Sequence, residues 1–474
     1  MSTPVLIVGC GPSGLFLANL LGSQNIQTVC IERNATCTDH PKSTFLDSEI
    51  VRLLDTIGLL DTLKGQIIGL SGIERYSPSG TLVSREDNTI TSHNYPHRNT
   101  MYQPWLEQAL LDGLSRFPCV SVKMNCELID IQTESTNSVK LKCTFRDIQT
   151  DTTTTSVFQY VIGADGNKSK VRDLMGLSFD PVTDYEAKSI RIDVEGMTDT
   201  TLVMRSGIHS GRNWISFPAP NGRRFSFTVL PGEHPEDLLT DEAAFKLLQP
   251  HIENNPHVRI LFRSHYHFRS RLASSLRKGN IFLIGDAAHT LPPANAQGLN
   301  SGARDANALA WRLAEVLKGG SSLVLDEYEI ERYEPMKQII LNASIAYQAA
   351  RKPTSSPSGT LHSVKKEEKS VSIYGQMIPN AWVQLVGTRK GVMLDTLFKP
   401  QDSNVSYGWN MVGFNSREYT PTGYNSIVLY RRGVDIPSLP CIQGIICDHR
   451  FDNYWNDLDG KWILVRPDRV VQPF

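Results

Sequence analysis

Val5-Leu6-Ile7-Val8-Gly9-Cys10-Gly11-Pro12-Ser13-Gly14 is the stretch that decides the fold. Four aliphatic residues make a short strand pattern. Three glycines in GxGxxG spacing interrupt it, and an apolar helical pattern over 15–21 follows at once. In that context each glycine has a reason. Gly9 permits a tight turn, Gly11 lets the backbone approach a pyrophosphate, and Gly14 lets helix and strand pack closely. The helix start, with Pro12 and Ser13, offers free N–H groups and the positive end of the helix dipole to phosphates. Thr28-Val29-Cys30-Ile31 reads as the next strand, and Glu32 stands at its end, where an acid meets ribose hydroxyls. The motif predicts a dinucleotide-binding βαβ unit and does not separate FAD from NAD.

Outward from this unit, apolar spacing predicts helices over 48–63, 103–116, 298–318 and 326–350. Residues 120–162 alternate in strand fashion, and 180–270 again favour strands. Within the latter, Phe225, Phe227 and Val229 share one strand face while Ser226 and Thr228 take the other. Residues 353–372 are rich in Ser, Pro and charge and predict a flexible linker. The chain closes in a predicted hairpin, Trp462-Ile463-Leu464-Val465, a Pro467-Asp468 turn, then Val470-Val471.

A second motif occupies 285–311. Asn280-Ile281-Phe282-Leu283-Ile284 delivers Gly285-Asp286, a Pro292-Pro293 bend follows, and a helix opens at Gly298-Leu299-Asn300. Asp286 suits a hydrogen bond from a ribityl hydroxyl. The N–H groups at the helix start suit negative charge on a reduced isoalloxazine. A third segment, Val161-Ile162-Gly163-Ala164-Asp165-Gly166, precedes Arg172.

Together the three segments resemble the GxGxxG, GD and DG motifs of the single-component FAD-dependent aromatic hydroxylases, typified by para-hydroxybenzoate hydroxylase. Leu46-Asp47-Ser48-Glu49, Gln103-Pro104-Trp105-Leu106-Glu107 and 213–233 are similar as well. The likeness covers about 4–350 and is greatest to 3-(3-hydroxyphenyl)propionate hydroxylase-like and polyketide hydroxylase-like members. The resemblance implies an α/β fold: a Rossmann-like FAD-binding domain (1–180 and 271–350), an inserted β-sheet substrate domain (181–270), a linker (351–373) and a C-terminal, degenerate thioredoxin-like domain (374–474). It implies FAD held by Gly9, Gly11 and Gly14, by Glu32 and Arg33 at the adenosine, and by Gln103 and Asp286 at the ribityl chain. The backbone of Gly298, Leu299 and Asn300 would meet the flavin ring, with Pro292 and Pro293 bending at its reactive face. Lys42 stands where the family usually carries Arg, which removes bidentate geometry. Asn295-Ala296 stands where members are usually glycine-rich. Asp165 and Arg172 are either local scaffolding or cofactor contacts, and His289 is expected to be structural.

The implied activity is NAD(P)H- and O2-dependent hydroxylation of a phenolic or polyketide-like aromatic through a flavin hydroperoxide. Epoxidation, dearomatisation, Baeyer–Villiger-type insertion, dehydrogenation and a non-catalytic FAD-binding scaffold are the competing readings. Candidate pocket residues on the strand-rich segment are Trp214, Phe217, Phe225 and Phe227, with Arg191, His209 and Pro293 as candidates nearer the chemistry. Arg191 faces either a substrate anion or solvent.

Composition narrows the partners. The 474 residues carry a formal net charge of −1, with 40% hydrophobic and 20% charged residues, which gives no reason to expect nucleic acid. No apolar run approaches the roughly 20 residues of a membrane span, and no basic leader precedes the first strand. Eight scattered cysteines without a CxxC pair predict reduced thiols in a cytoplasmic protein. No His/Cys cluster has metal-ligand spacing. Lack of CxxC also removes disulfide exchange from the C-terminal part and leaves packing or homodimer formation as its role.

Overall fold

The computed structural model describes residues 3–91, 93–133, 140–219, 222–252, 257–293, 296–349 and the C-terminal segments 382–385, 391–394, 410–414, 425–430, 442–446 and 462–473. The expected linker at 351–373 lies outside the described residues, as do Asn221, Ala294 and Asn295. The chain divides into two compact units. The larger comprises Met1–Ile50, Thr62–Thr89 and Pro96–Leu361.

In the larger unit β1 (Thr3–Val8) leads into α1 (Pro12–Ser23) and returns as β2 (Thr28–Ile31). A short strand β3 (Phe45–Asp47) follows, then α2 (Gln103–Gly113), β4 (Val120–Lys123) and β5 (Thr153–Gly163). Next come β6 (Phe179–Glu195), β7 (Val203–His209), β8 (Arg212–Ala219) and β9 (Gly222–Thr228). The unit continues through α3 (Asp241–Ile252), β10 (Arg259–Ala273), β11 (Ile281–Leu283), α4 (Gln297–Leu317) and α5 (Asp326–Ala349).

The first sheet has the parallel order β11-β5-β1-β2-β4. Its strands are near-continuous aliphatic runs because both faces are covered. Val5, Leu6 and Ile7 are fully buried, as are Leu15, Phe16 and Leu17 of α1. Register pairs Val8 with Gly163 and Gly163 with Leu283. The carboxyl ends of β1, β5 and β11 are therefore level, and all three sequence motifs leave the sheet at one edge. Ligands of open α/β sheets bind at that edge.

The second sheet is antiparallel through β10-β6-β9-β8-β7, with Gly72–Tyr76 added parallel to β7. Its strands alternate between two faces. Ile190, Ile192, Phe225, Phe227 and Val229 lie on one, forming a core with Ala244 and Leu248 of α3. The face shared by Phe225, Phe227 and Val229 is thus as the alternation predicts. Helix α3 itself corrects the reading of 180–270 as strands. Thr240 Oγ1 accepts from Ala243 N, and Asp241 and Glu242 sit in the first turn. Ala244 and Leu248, four apart, supply its buried stripe.

The smaller unit comprises Val51–Asp61, Ile90–Tyr95 and His362–Phe474. Its seven-stranded sheet has Asn410–Phe414, Asn425–Tyr430 and Ile442–Ile446 parallel to one another, with antiparallel strands on either side. Trp462–Val465 pairs antiparallel with Val471–Pro473, so the closing hairpin forms as its sequence predicts. Arg466 and Asp468 make a buried ion pair in its turn, and Arg469 completes the turn at φ 67°.

Candidate flavin site

The glycine turn is shaped by close approach. Gly9 has φ 105°, and a Cβ there would stand 2.4 Å from the Ala164 carbonyl oxygen. A Cβ on Gly14 would stand 2.1 Å from Gly9 O. Gly11 differs: a Cβ there meets nothing within 4 Å. Its open side lies over the start of α1, which has Gly11 as N-cap, no side-chain cap and no acid in its first turn. That is a positively polarised helix start of the sign a phosphate needs. Glu32 fixes the turn from the side, accepting from Cys10 N at 3.0 Å and from Asn34 N at 2.9 Å. Arg33 is exposed.

Asp286 is also open. Its side chain is exposed, and desolvation by the surrounding chain raises its pKa. His289 and Lys42 oppose that rise. Lys42 is exposed, and its ammonium is within electrostatic reach of both Asp286 and Glu107. Helix α4 starts beside this turn with Ala296 as N-cap and again no acid in the first turn. A Cβ on Gly298 would meet nothing within 4 Å, and no side chain caps the N–H groups of this helix start. Pro293 O accepts from Ala296 N at 3.0 Å, closing the bend. Ala296 itself takes φ 54°, ψ 39°, a left-handed conformation costly for a residue with a Cβ. The backbone thus keeps a glycine-like geometry although the glycine is gone.

Side chains around these openings are committed to scaffolding. Asn300 is fully buried; its Oδ1 accepts from Asp47 N, and its Nδ2 donates to Ala296 O at 2.9 Å. Gln103 accepts from Ser43 N at 2.6 Å and donates to Glu107 at 2.7 Å. Asp165 accepts from Ser169 Oγ, Lys170 N and Val171 N, which makes it a local turn and helix-start residue. Arg172 donates to Ala287 O and Asn167 O and lies 3.9 Å over the Phe179 ring, tying the third motif to the second. His289 is buried against Asp305, as its structural reading anticipates. Asp47 was legible only as part of a matching string. It holds Arg98 and Arg304, and Arg304 also pairs with Glu49 and Gln297.

The polar face of the second sheet lies against the 41–45 segment. Arg191 corrects its expectation. It meets neither solvent nor an open site: its Nη1 donates to Pro41 O and Lys42 O at 2.6 Å each, and its guanidinium stacks 4.4 Å over Tyr266. Burial and the neighbouring Arg224 lower its pKa to about 10. Arg224 makes a bidentate ion pair with Asp193 and donates to Thr44 Oγ1. Phe217 packs against Phe45 in a tilted pair with ring centroids 4.7 Å apart, and Met204, Ile215 and Ala296 pack around that pair.

The four aromatic candidates therefore separate. Phe217 lies beside the start of α4. Phe225 and Phe227 face the other way, into the core under α3. Trp214 is cross-strand from Phe227 and packs 4.3 Å from His251 of α3. His209, at the end of β7, is exposed and also neighbours His251. The alternation that pairs Phe225 with Phe227 also removes them from the face that carries Phe217. The structure gives Phe225, Phe227 and Trp214 a packing role.

Open backbone cradles at two helix starts, level with the ends of parallel strands and joined by a carboxylate-bearing turn, define a dinucleotide-binding flavoprotein. The chain belongs to the FAD binding domain family, which it matches over residues 2–343, and its cofactor is FAD. It is 32% identical over 398 residues to a 3-(3-hydroxy-phenyl)propionate/3-hydroxycinnamic acid hydroxylase of Mycolicibacterium smegmatis, covering 84% of this chain and 67% of that one. It is 32% identical over 358 residues to a similarly named hydroxylase of Burkholderia vietnamiensis, covering 75% and 64%. The chain thus spans about two thirds of the length of these curated relatives. In fold it is similar to the flavin-dependent monooxygenase PieE solved with FAD and substrate (TM-score 0.78, 19% identity, 99% of this chain and 95% of that one). It is likewise similar to aklavinone-11 hydroxylase solved with FAD and aklavinone (TM-score 0.77, 20% identity, 99% and 94%). Among the described residues no helix is long and apolar enough to cross a membrane.

Proposed function

We propose that the chain is an FAD-dependent monooxygenase that uses NAD(P)H and O2 to hydroxylate a phenolic or polyketide-like aromatic in the cytoplasm. One observation carries the reading. The start of α4, which has no side-chain cap, is packed through Ala296 against an apolar cluster in which Phe217, Met204 and Ile215 of the second sheet meet Phe45 and Leu70. A flavin held at the helix start would have an apolar wall beside it, as an aromatic substrate requires.

The proposed assignments follow. Residues 1–180 and 271–350 bind FAD, 181–270 supply the substrate wall, and 374–474 form a thioredoxin-like domain that packs or dimerises. The mixed sheet of the smaller unit supports that last assignment. Gly9, Gly11 and Gly14, with Pro12 and Ser13, cradle the pyrophosphate. Glu32 and Arg33 border the adenosine, and Asp286 takes the ribityl chain. Gln103 and Lys42 hold the neighbouring loop and balance charge there. The N–H groups of Gly298, Leu299 and Asn300 direct the helix dipole at the ring system. FAD supplies the two-electron chemistry and the reaction with O2. The protein's share is orientation, charge and exclusion of water by the Phe45–Phe217 cluster.

The test reconstitutes the protein with FAD and follows NADH and NADPH oxidation with and without a panel of phenols and larger fused aromatics, reading H2O2 and product mass together. Substrate-stimulated oxidation with a product 16 mass units heavier (one oxygen atom, by order of magnitude of the expected shift about 16) supports the reading. Reduction without oxygen insertion points to dehydrogenation. FAD that is bound but never reduced across the panel overturns the proposal in favour of a scaffold.

A further inference from the structure

We propose that Asp305 is a positioning residue of the flavin site, fixing the turn that presents Asp286 to the cofactor. The inference rests on the reading of Asp286 as a flavin contact. Asp305 sits on the inner side of α4 and is only 1% exposed. Its Oδ2 accepts from Gly285 N at 3.0 Å and meets His289 Nε2 at 2.6 Å. Its Oδ1 accepts from Arg332 Nε of α5 at 2.8 Å. One carboxylate therefore ties the residue immediately before Asp286, the strand immediately after it, and two long helices.

The charge arrangement favours a permanently ionised anchor. Burial alone would raise the Asp305 pKa, but His289 and Arg332 outweigh it and hold the carboxyl well below the usual range. An ionised carboxylate can only accept, so the contact at Asp305 Oδ2 is donated by His289 Nε2–H, while His289 Nδ1 is buried without a hydrogen-bond partner among the described residues. Charge-assisted bonds of this kind are shorter and stronger than neutral ones.

Packing transmits the anchoring to the first motif as well. A Cβ on Gly285 or on Gly302 would fall 2.3 Å or 2.2 Å from Ser13 Oγ. Ser13 of the glycine turn is thus wedged between the Asp286 turn and α4, three residues before Asp305. With Gly285 at φ 59° and its N–H held by Asp305, Asp286 has little freedom to swing. Asp305 has no exposed edge toward the open cradle, so it acts through Asp286.

A double-mutant cycle on FAD affinity separates positioning from general stability. Apoproteins of the full chain carrying Asp286→Asn, Asp305→Asn and both are titrated with FAD by flavin fluorescence, with circular dichroism and Tm recorded for each. Asp305→Asn is expected to weaken FAD by about tenfold to a hundredfold in the native background, the range carried by outer-shell partners of ligating residues. In the Asp286→Asn background its effect should shrink to about twofold or less, because coupled residues are non-additive. Equal factors in both backgrounds, or native affinity in Asp305→Asn, overturn the proposal. Native affinity in Asp286→Asn overturns instead the reading on which it rests. If Asp305→Asn does not fold, the cycle is run with Arg332→Gln, which keeps the carboxylate but removes its cation, under the same criterion.

Discussion

On β6, β8 and β9 alternate residues part company. Ile190, Ile192, Phe225 and Phe227 go beneath α3, whereas Arg191, Asp193, Arg224 and Phe217 turn toward the 41–45 segment. Both faces are buried, but by different physics. The first is held by non-directional removal of apolar area from water. The second buries charges, which is tolerable only because each is aimed at a partner. The contrast teaches that burial by itself does not mark a binding face. Phe225 and Phe227 lie on the inert side here, whereas the proposed flavin side carries Phe217 together with the fixed charges of Arg191, Asp193 and Arg224.

The comparison can be broken in several ways. Asp193→Ala should do the most damage, about 3–5 kcal/mol, because it strands the 1%-exposed Arg224 without its carboxylate. Adding Arg224→Met should recover much of that loss in the same denaturant titration. Phe225→Ala should follow at about 3 kcal/mol from lost transfer energy and cavity. It should leave FAD affinity near native, since its face is remote from the cradle; a large loss of FAD binding would abolish the distinction between faces.

The third test is acid. His251 lies among Trp214, Phe225 and Phe227, and burial, with a smaller push from His209, lowers its pKa from 6.5 to about 4. A depressed histidine pKa means that the unfolded chain takes the proton first. Stability is therefore complete above about pH 6.5 and falls as pH drops toward about 4, by about 2 kcal/mol after allowance for partial exposure. His251→Phe should flatten the Tm profile across that window. Arg191→Lys should cost about 1–2 kcal/mol, because the shorter ammonium side chain loses the planar stack on Tyr266 and falls short of the two carbonyls that Nη1 reaches. Ala296→Gly should be the smallest, a gain of about 1 kcal/mol in Tm-derived stability as the left-handed strain is relieved.

Local features were readable from the sequence because their causes are local. The strand, glycine turn and helix of 5–21 need only neighbours, and so does the closing hairpin at Trp462–Val465 and Val471–Pro473. The level ends of β1, β5 and β11 follow from three motifs that each end a strand. Alternation correctly grouped Phe225 with Phe227, but a period of two cannot say which face meets α3 and which meets β3. Arg191 was unreadable for another reason: its acceptors, Pro41 and Lys42, are about 150 residues away. Asp305 left a signal that could have been followed. It sits on an otherwise apolar stripe with Gly302, Ala306 and Leu309, all buried, and an acid on such a stripe implies a paired cation. The 12-residue α3 was hidden by strand-like flanks, although Thr240-Asp241-Glu242 is a fair helix start.

The fastening of Arg191 and Arg224 to the 41–45 segment has a consequence for redesign. If the proposed aromatic substrate is correct, changing its size need not touch any ionised group. On that side Met204, Ile215 and Phe217 contribute neutral side chains to the apolar cluster. A combinatorial library confined to these three would vary the proposed apolar wall while the charged frame stays constant.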